Sequence, residues 1–398
     1  MKNKLQYIII VIFSLLLIGF LIWKFWPKAH EPILKQASFA QLPGWQAADA
    51  KKSLAAFQIS CRPFLRHDPE KSVGSQFIKL KAKDWIPACK AALSMSADSD
   101  KTSRAFFETW FTPVEFYNGK PVKGLFTGYY LPLLNGSLTK TKEFSTPIYG
   151  LPTNLITAKL DLFDPKLKYH RNIIGRLKGK TLVPYYTREE IEKGAIKDHA
   201  RVIAWINNKV DRKFLEIEGS GVVQLQDGTQ LYIGYEGENG ATYTSIAAVL
   251  IKMGVMTKDN ASMQAIRNYF KAHPEQVDKV LNQNKSFVFF TTLSKKAALG
   301  AQGVPLTPGY SLAVDRKWIP LGVPIWLNTT QPSYTSTKHK AFQRLMVAQD
   351  TGGAIRGPVR GDVFWGPGEE AAHVAGHMKN SGFYWLLLPK NTSAKQPD

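Results

Sequence analysis

Cysteine is nearly absent from this chain: Cys61 and Cys89 are the only two among 398 residues. At most one intramolecular disulfide can form, and the pair stays two buried thiols unless the domain is exported, which would favour the bond. Acidic residues are also scarce. Against 52 Lys and Arg stand 31 Asp and Glu, giving a formal net charge of +21. That excess suits an anionic partner such as nucleic acid, a membrane surface or an acidic polymer, or else a solubilising surface. No run of like charges marks a nucleic-acid-binding arm, and no internal repeat or low-complexity tract occurs.

Charge is also missing from one long stretch. Tyr7 to Trp23 holds no charged residue, and Phe25 and Trp26 extend the apolar run past Lys24. At about 1.5 Å per residue a helix of this length nearly crosses the hydrocarbon layer, with Lys24 reaching to the interface. No small-x-small cleavage site follows closely, since Ser38-Phe39-Ala40 lies too far downstream, and no cysteine near the segment could carry a lipid. The expectation is an uncleaved membrane anchor over residues 1–26. Lys2 and Lys4 on one side and Lys24, Lys28 and Lys35 on the other leave its orientation open. Residues 27–50, with Pro27, Pro32 and Pro43, read as a tether.

Beyond the tether, helical spacing of Phe57, Phe64, Trp85, Ala88, Phe106, Phe107 and Trp110 predicts helices from Ser53 to Thr112. From Gly124 the pattern turns to short β-branched and aromatic runs, Phe126 to Leu134, Leu215 to Leu225 and Gln230 to Tyr235. These are punctuated by Asn135-Gly136, Gly219-Ser220-Gly221 and Asp227-Gly228. A helical interlude is expected over Thr244 to Met253, Ala261 to Phe270 and Pro274 to Asn282, with strand character returning at Phe287 to Phe290. The last third predicts strands at Ser311 to Val314, Pro324 to Leu327, Arg344 to Gln349, Asp362 to Trp365 and Tyr384 to Leu388, with a helix at Glu369 to Met378. Many short strands with polar turns favour a compact barrel over an open parallel sheet.

Asp350-Thr351-Gly352 is the triplet of aspartic proteases, but a pepsin-like enzyme needs two such triplets and this chain has one. The Ile-Ile-Gly-Arg strand that follows the triplet in retroviral-type proteases occurs at Ile173 to Arg176, before it, so the topology is wrong. His373 and His377 share a helical face, but no His-Glu-x-x-His frames them as a zinc site. Gly219-Ser220-Gly221 is too short for a nucleotide loop.

Asp350 instead closes the apolar strand Leu345 to Ala348 and opens a glycine turn, where a rigid scaffold presents a functional side chain. Gly352 and Gly353 leave room there for a bulky ligand. Asp315 follows Ser311 to Val314 and Asp362 precedes Val363 to Trp365. Three strand-end carboxylates among apolar residues would raise the pKa of at least one, through like charge and desolvation, giving a general acid. The alternative is that they satisfy turn backbone and nearby Arg316, Arg356 and Arg360.

Three segments, Asp315 to Gly322, Ala348 to Gly357 and Arg360 to Gly366, together resemble the three-aspartate region of the membrane-bound lytic murein transglycosylase A family. Gly376 to Gly382 continues the likeness. It extends upstream through Thr127 to Pro132, Pro147 to Tyr149, Leu215 to Gly221, Gly234-Tyr235, Tyr243 to Ile246 and Phe287 to Phe290, so it runs in order from about residue 120 to 390.

The resemblance implies a mainly β protein with some α: a double-psi β-barrel catalytic domain from residues 51–135 and 286–390, and a smaller β-rich, barrel-like domain inserted at 136–285. A deep groove would separate them, and residues 391–398 would form a tail. It also implies an exo-acting lytic transglycosylase cleaving the β-1,4 bond between N-acetylmuramic acid and N-acetylglucosamine without water. The product would carry a 1,6-anhydromuramyl end. Most glycosidases need two carboxylates. Here the nucleophile is the substrate's own 6-hydroxyl, so Asp350 would serve as acid and then base, with Asp315 and Asp362 raising its pKa and holding the turn. Thr127, Tyr129, Gly219, Ser220, Gly221, Tyr235, Gly352 and Gly353 would line the substrate groove.

No metal or cofactor is implied. Expected partners are peptidoglycan glycan strands, the membrane through the amino-terminal helix, and other cell-wall enzymes, with no nucleic acid. Many relatives carry a lipidated cysteine. Its absence here places the expected anchor in the inner membrane of a Gram-negative envelope, with the catalytic domain in the periplasm and Cys61 and Cys89 as a disulfide candidate. The family usually has Gln where this chain has Glu218, which would add a charge at the groove. A catalytically silent peptidoglycan-binding protein of the same fold is the alternative.

Overall fold

The computed structural model describes residues 31–167, 170–258, 260–294, 297–336 and 338–390. The expected anchor at 1–26, the first residues of the expected tether and the tail at 391–398 lie outside these. Among the described residues no helix is long and apolar enough to cross a membrane.

The rest of the expected tether is packed structure. Strand β1 (Ile33–Gln36) pairs with a later strand, and Leu42, Trp45 and Ala48 are buried. Trp45 meets Trp326 edge-on at 5.2 Å, and the Trp326 indole donates to the Pro43 carbonyl at 3.1 Å. Pro43 sits in the turn between the buried Leu42 and Trp45, where composition alone suggested a loose linker.

Helices α1 (Ala50–Arg66), α2 (Ala82–Ser94) and α3 (Asp100–Trp110) follow. Ser99 caps α3 by accepting from the Thr102 amide, and the Cys61–Cys89 disulfide joins α1 to α2. Phe57, Trp85, Phe106, Phe107 and Phe111 form one aromatic cluster under them, with Phe57 and Phe111 edge to face at 5.4 Å.

The chain then forms β2 (Phe111–Tyr117), β3 (Gly124–Leu131), β4 (Leu133–Ser137), β5 (Thr146–Tyr149), β6 (Ile156–Ala158), β7 (Ile173–Lys178) and β8 (Thr181–Pro184). Next come α4 (Arg188–Glu192), β9 (Val202–Ile206), α5 (Lys209–Glu218), β10 (Ser220–Leu225), β11 (Gln230–Glu238), α6 (Ile246–Lys252), α7 (Met263–Ala272), α8 (Val277–Leu281) and β12 (Val288–Thr292). The last part holds β13 (Ser311–Val314), β14 (Pro324–Gln331), β15 (Lys340–Asp350), β16 (Arg360–Pro367), α9 (Glu369–His377) and β17 (Lys379–Pro389).

Strands β17, β14, β15, β13, β16 and β3 pair in that order, and β3 pairs again with β17. The ring therefore closes as a six-stranded barrel, which leaves those strands no open edge. The pairs β13–β15 and β16–β3 are parallel, and the others are antiparallel. Strands β2 and β1 continue the sheet outward from β17. A second six-stranded sheet runs β12-β11-β10-β4-β9-β5, and β6-β7-β8 form a third.

Two further expectations change. Leu215 to Leu225 is not one strand, because α5 runs to Glu218 and only β10 is extended. The barrel also does not resume at residue 286. β12 pairs with β11 in the second sheet, whereas β4 enters that sheet at Leu133, three residues earlier than expected. The mainly β character holds, and the helices expected over Thr244 to Met253, Ala261 to Phe270 and Glu369 to Met378 appear as α6, α7 and α9 with ends shifted by up to two residues.

Candidate active site

The barrel registers set one row of residues side by side. Ala313 on β13 lies opposite Asp350 on β15 and, on its other side, opposite Asp362 on β16. Asp362 lies opposite Thr127 on β3, and Thr127 opposite Lys379 on β17. The β13–β15 pairing slips between Leu312 and Ala313, a bulge of the kind that re-aims a side chain beside a site. Because side chains alternate along a strand, Tyr129 shares the face of Thr127, and Phe364 that of Asp362. Their rings meet at 5.2 Å.

Asp350 is gripped by three donors. Its Oδ1 accepts from the Thr351 amide at 2.8 Å and the Ala301 amide at 2.9 Å, and its Oδ2 accepts from the Tyr129 hydroxyl at 2.7 Å. Burial nonetheless pushes the Asp350 carboxyl above the usual range, outweighing these three contacts, which favour the anion. The leading cause is therefore desolvation, where like charge from Asp315 and Asp362 was also expected. Burial and then Asp350 push the Tyr129 hydroxyl well above its ordinary value, so it remains the donor.

Asp362 accepts from the Thr127 hydroxyl at 2.5 Å, and Arg360 donates to the same Thr127 oxygen at 2.8 Å. Burial raises the Asp362 carboxyl, with Thr127 and Arg360 opposing and Asp350 adding to the rise. Asp315 serves backbone: it accepts from the Lys317 amide at 3.1 Å and from the Gly357 amide at 2.8 Å, pinning the loop that follows Asp350. Gly357 needs its freedom there, with φ of 108°. Asp350 and Asp362 thus take separate donors and do not form the shared-proton pair of an aspartic protease.

Gly219 ends α5 in the left-handed region, φ 74°, and turns the chain into β10. Ser220 is buried, and a Cβ on Gly221 would come within 3.2 Å of the Pro132 carbonyl, where β3 leads into β4. Gly353 faces open space, whereas Gly352 packs on Ile355, so only the first fits the expectation of clearance. Tyr235, 54% exposed on β11, has Glu238 and Arg171 as its charged neighbours and stands outside this hydrogen-bond network.

Residues 125–291 match the family model described as "MltA specific insert domain", and residues 310–388 match "3D domain". A membrane-bound lytic murein transglycosylase of Agrobacterium tumefaciens, in its crystal structure, is 30% identical with a TM-score of 0.78, over 90% of this chain and 98% of that one. The chain belongs to the membrane-bound lytic murein transglycosylase A family. The Escherichia coli K12 family member is 37% identical over 265 residues, 66% of this chain, and the match spans only 65% of that protein's length. The crystal structure of Escherichia coli MltA with bound chitohexaose has a TM-score of 0.65 and 26% identity over 91% of this chain and 95% of that one.

Within this MltA-family chain, sequence reasoning missed several groups around the site. The Ala301 amide carries no side-chain signature. It is held by Gln302, whose amide donates to the Gln349 carbonyl at 3.0 Å and whose side chain accepts from Ser60 of α1 at 2.8 Å. Arg360 was legible only as one cation near the aspartates. Glu218 was read as an added charge, but it is buried and accepts from the Tyr130 amide at 2.9 Å. Burial pushes its carboxyl well above the usual range, favouring a neutral acid. A protonated carboxyl presents a donor and an acceptor, as an amide would.

Proposed function

We infer that this chain is a lytic transglycosylase of the cell envelope, cleaving the β-1,4 bond between N-acetylmuramic acid and N-acetylglucosamine in peptidoglycan and leaving a 1,6-anhydromuramyl end. The observation that carries the reading is Asp350: a carboxyl buried enough to hold its proton above the ordinary range, at the end of a barrel strand beside an open glycine turn. Family membership and the chitohexaose bound by the Escherichia coli relative support a β-1,4-linked glycan as the substrate class.

Asp350 donates its proton to the glycosidic oxygen as the anomeric C–O bond breaks. The muramyl 6-hydroxyl then attacks the anomeric carbon and returns a proton to the Asp350 carboxylate. One residue serves both steps because the nucleophile belongs to the substrate and no water needs placing. Tyr129 stabilises the intermediate carboxylate, Asp362 and Thr127 extend the polar row, and Asp315 fixes the loop. Thr127, Ser220 and the backbone at Gly219 and Gly221 line the sugar groove, with Tyr235 at its periphery. We read the closed barrel, with its interleaved parallel and antiparallel pairs, as a double-psi barrel, and the second and third sheets as an insert between β3 and β13. An amino-terminal helix in the inner membrane would hold the catalytic domain in the periplasm.

Digestion of purified murein sacculi tests this, with products read by mass. Wild-type protein should release 1,6-anhydro ends, and Asp350→Asn should lose roughly 100- to 10,000-fold in rate. Reducing ends would overturn the mechanism, and an equally active variant would remove Asp350 from it.

A further inference from the structure

The row of site residues ends at Lys379, and a cavity of about 400 Å³ opens there, between the α5–α7 helices and the corner from α9 to β17. Its walls are of two kinds. Phe214, Ile217, Ile246, Met263, Ile266 and Phe270 give an apolar floor. Lys213, Lys258 and Lys379 supply positive charge, and among the described residues the only carboxyl on the wall is Glu218, which burial holds toward its neutral form.

The lysines are not consumed by the fold to the same degree. Lys213 is buried, bonded to Glu216 at 3.0 Å and 5.4 Å from the Tyr243 ring. Glu216 is shared with Arg188 and Arg212, which also reach Glu192, and burial, against the pull of Glu216, pushes the Lys213 ammonium down to about 8. Lys258 and Lys379 are exposed, and among the described residues neither ammonium makes an ion pair. A part-apolar cavity with Lys258 and Lys379 at its rim and a buried Lys213 in its wall is matched by an anionic ligand that also carries alkyl groups.

We propose that this cavity receives the acidic stem peptide of the murein strand, with Lys213, Lys258 and Lys379 facing its carboxylates. This rests on the murein reading above. The peptide leaves the muramyl sugar sideways, so a glycan lying along the Asp350–Thr127 row would carry it past Lys379 into the cavity. Its methyl groups meet the apolar floor while its free carboxylates meet the lysines. The enzyme then reads the peptide as well as the sugars, and strands stripped of peptide are the poorer substrate.

The test compares the full-length chain with Lys258→Ala/Lys379→Ala, two exposed positions, after circular dichroism has shown equal folding. The free tetrapeptide L-Ala–γ-D-Glu–diaminopimelate–D-Ala is titrated calorimetrically into each protein, and rates are measured on peptide-bearing and amidase-stripped murein. Wild type should bind the tetrapeptide, less well at high salt. The double variant should bind it about fivefold more weakly, with the peptide-bearing to stripped rate ratio falling by a similar factor. No binding by wild type, or equal binding by both proteins, would overturn the proposal. Failure of the transglycosylase reading looks different, since wild type would then make no anhydro ends from either substrate while the titration still decides the peptide site.

Discussion

At the scale of single residues, the Asp350 carboxyl proposed as the acid is a balance between burial, which raises its pKa, and three donors that lower it. The Tyr129 hydroxyl is the donor that mutation can remove without touching backbone, and its bond is to the charged form of Asp350. Tyr129→Phe therefore raises the Asp350 pKa further. A hydrogen bond worth about 1 kcal/mol corresponds to roughly 0.7 of a pKa unit. Since the first step needs the protonated acid, activity falls as pH rises through this pKa, and the variant's falling limb should move up by about half a unit to one unit. A pH–rate profile on solubilised murein checks it. An unchanged or lowered limb would mean that Tyr129 does not tune the acid.

At the scale of elements, the sequence pattern of α5 misled because its buried face is charged. Leu215 and Ile217 alternate with Glu216 and Glu218 as in a half-buried strand, yet Arg212, Lys213, Glu216 and Glu218 are all buried. Arg188 donates to Glu216 at 2.9 Å and to the Asn284 carbonyl at 3.0 Å, and Arg212 pairs with Glu192. Removing Glu216 leaves buried cations with too few partners, so Glu216→Ala should cost about 3–5 kcal/mol. Urea denaturation of the purified variant measures this, and a loss under about 1 kcal/mol would show the network to be dispensable.

The same elements show where sequence was readable. Strands β13, β14, β15 and β17 read as short apolar runs buried on both faces, and the three aspartates stand out because each sits at the end of such a run or just before one. The packed segment from β1 to Trp45 was hidden because its few apolar anchors are spaced by turns, without a period. The Ala301 amide was hidden because every residue but proline has one. The row linking Asp350 to Lys379 depends on five strands far apart in sequence, and register is a property of pairing that no local pattern contains.

At the scale of the whole molecule, the excess of 52 basic over 31 acidic residues acts together with the local site. Burial withdraws the acids Glu216, Glu218 and Asp315 and equally the cations Arg188, Arg212 and Lys213, so the basic excess carries over to the solvent-facing surface. A murein sheet rich in peptide carboxylates would attract this surface over a distance set by the Debye length, about 10 Å at 0.1 M salt and about 3 Å at 1 M. Short contacts in the sugar groove lie within both lengths and should persist. Pelleting of full-length Asp350→Asn with murein sacculi in neutral detergent separates the two contributions, because under the proposed mechanism the variant would bind without digesting. The bound fraction should fall several-fold between about 0.05 M and about 1 M salt and then level off, the residue being what the groove holds by itself. Binding that ignored salt would assign retention to the groove alone, and the +21 charge would then be a property of solubility.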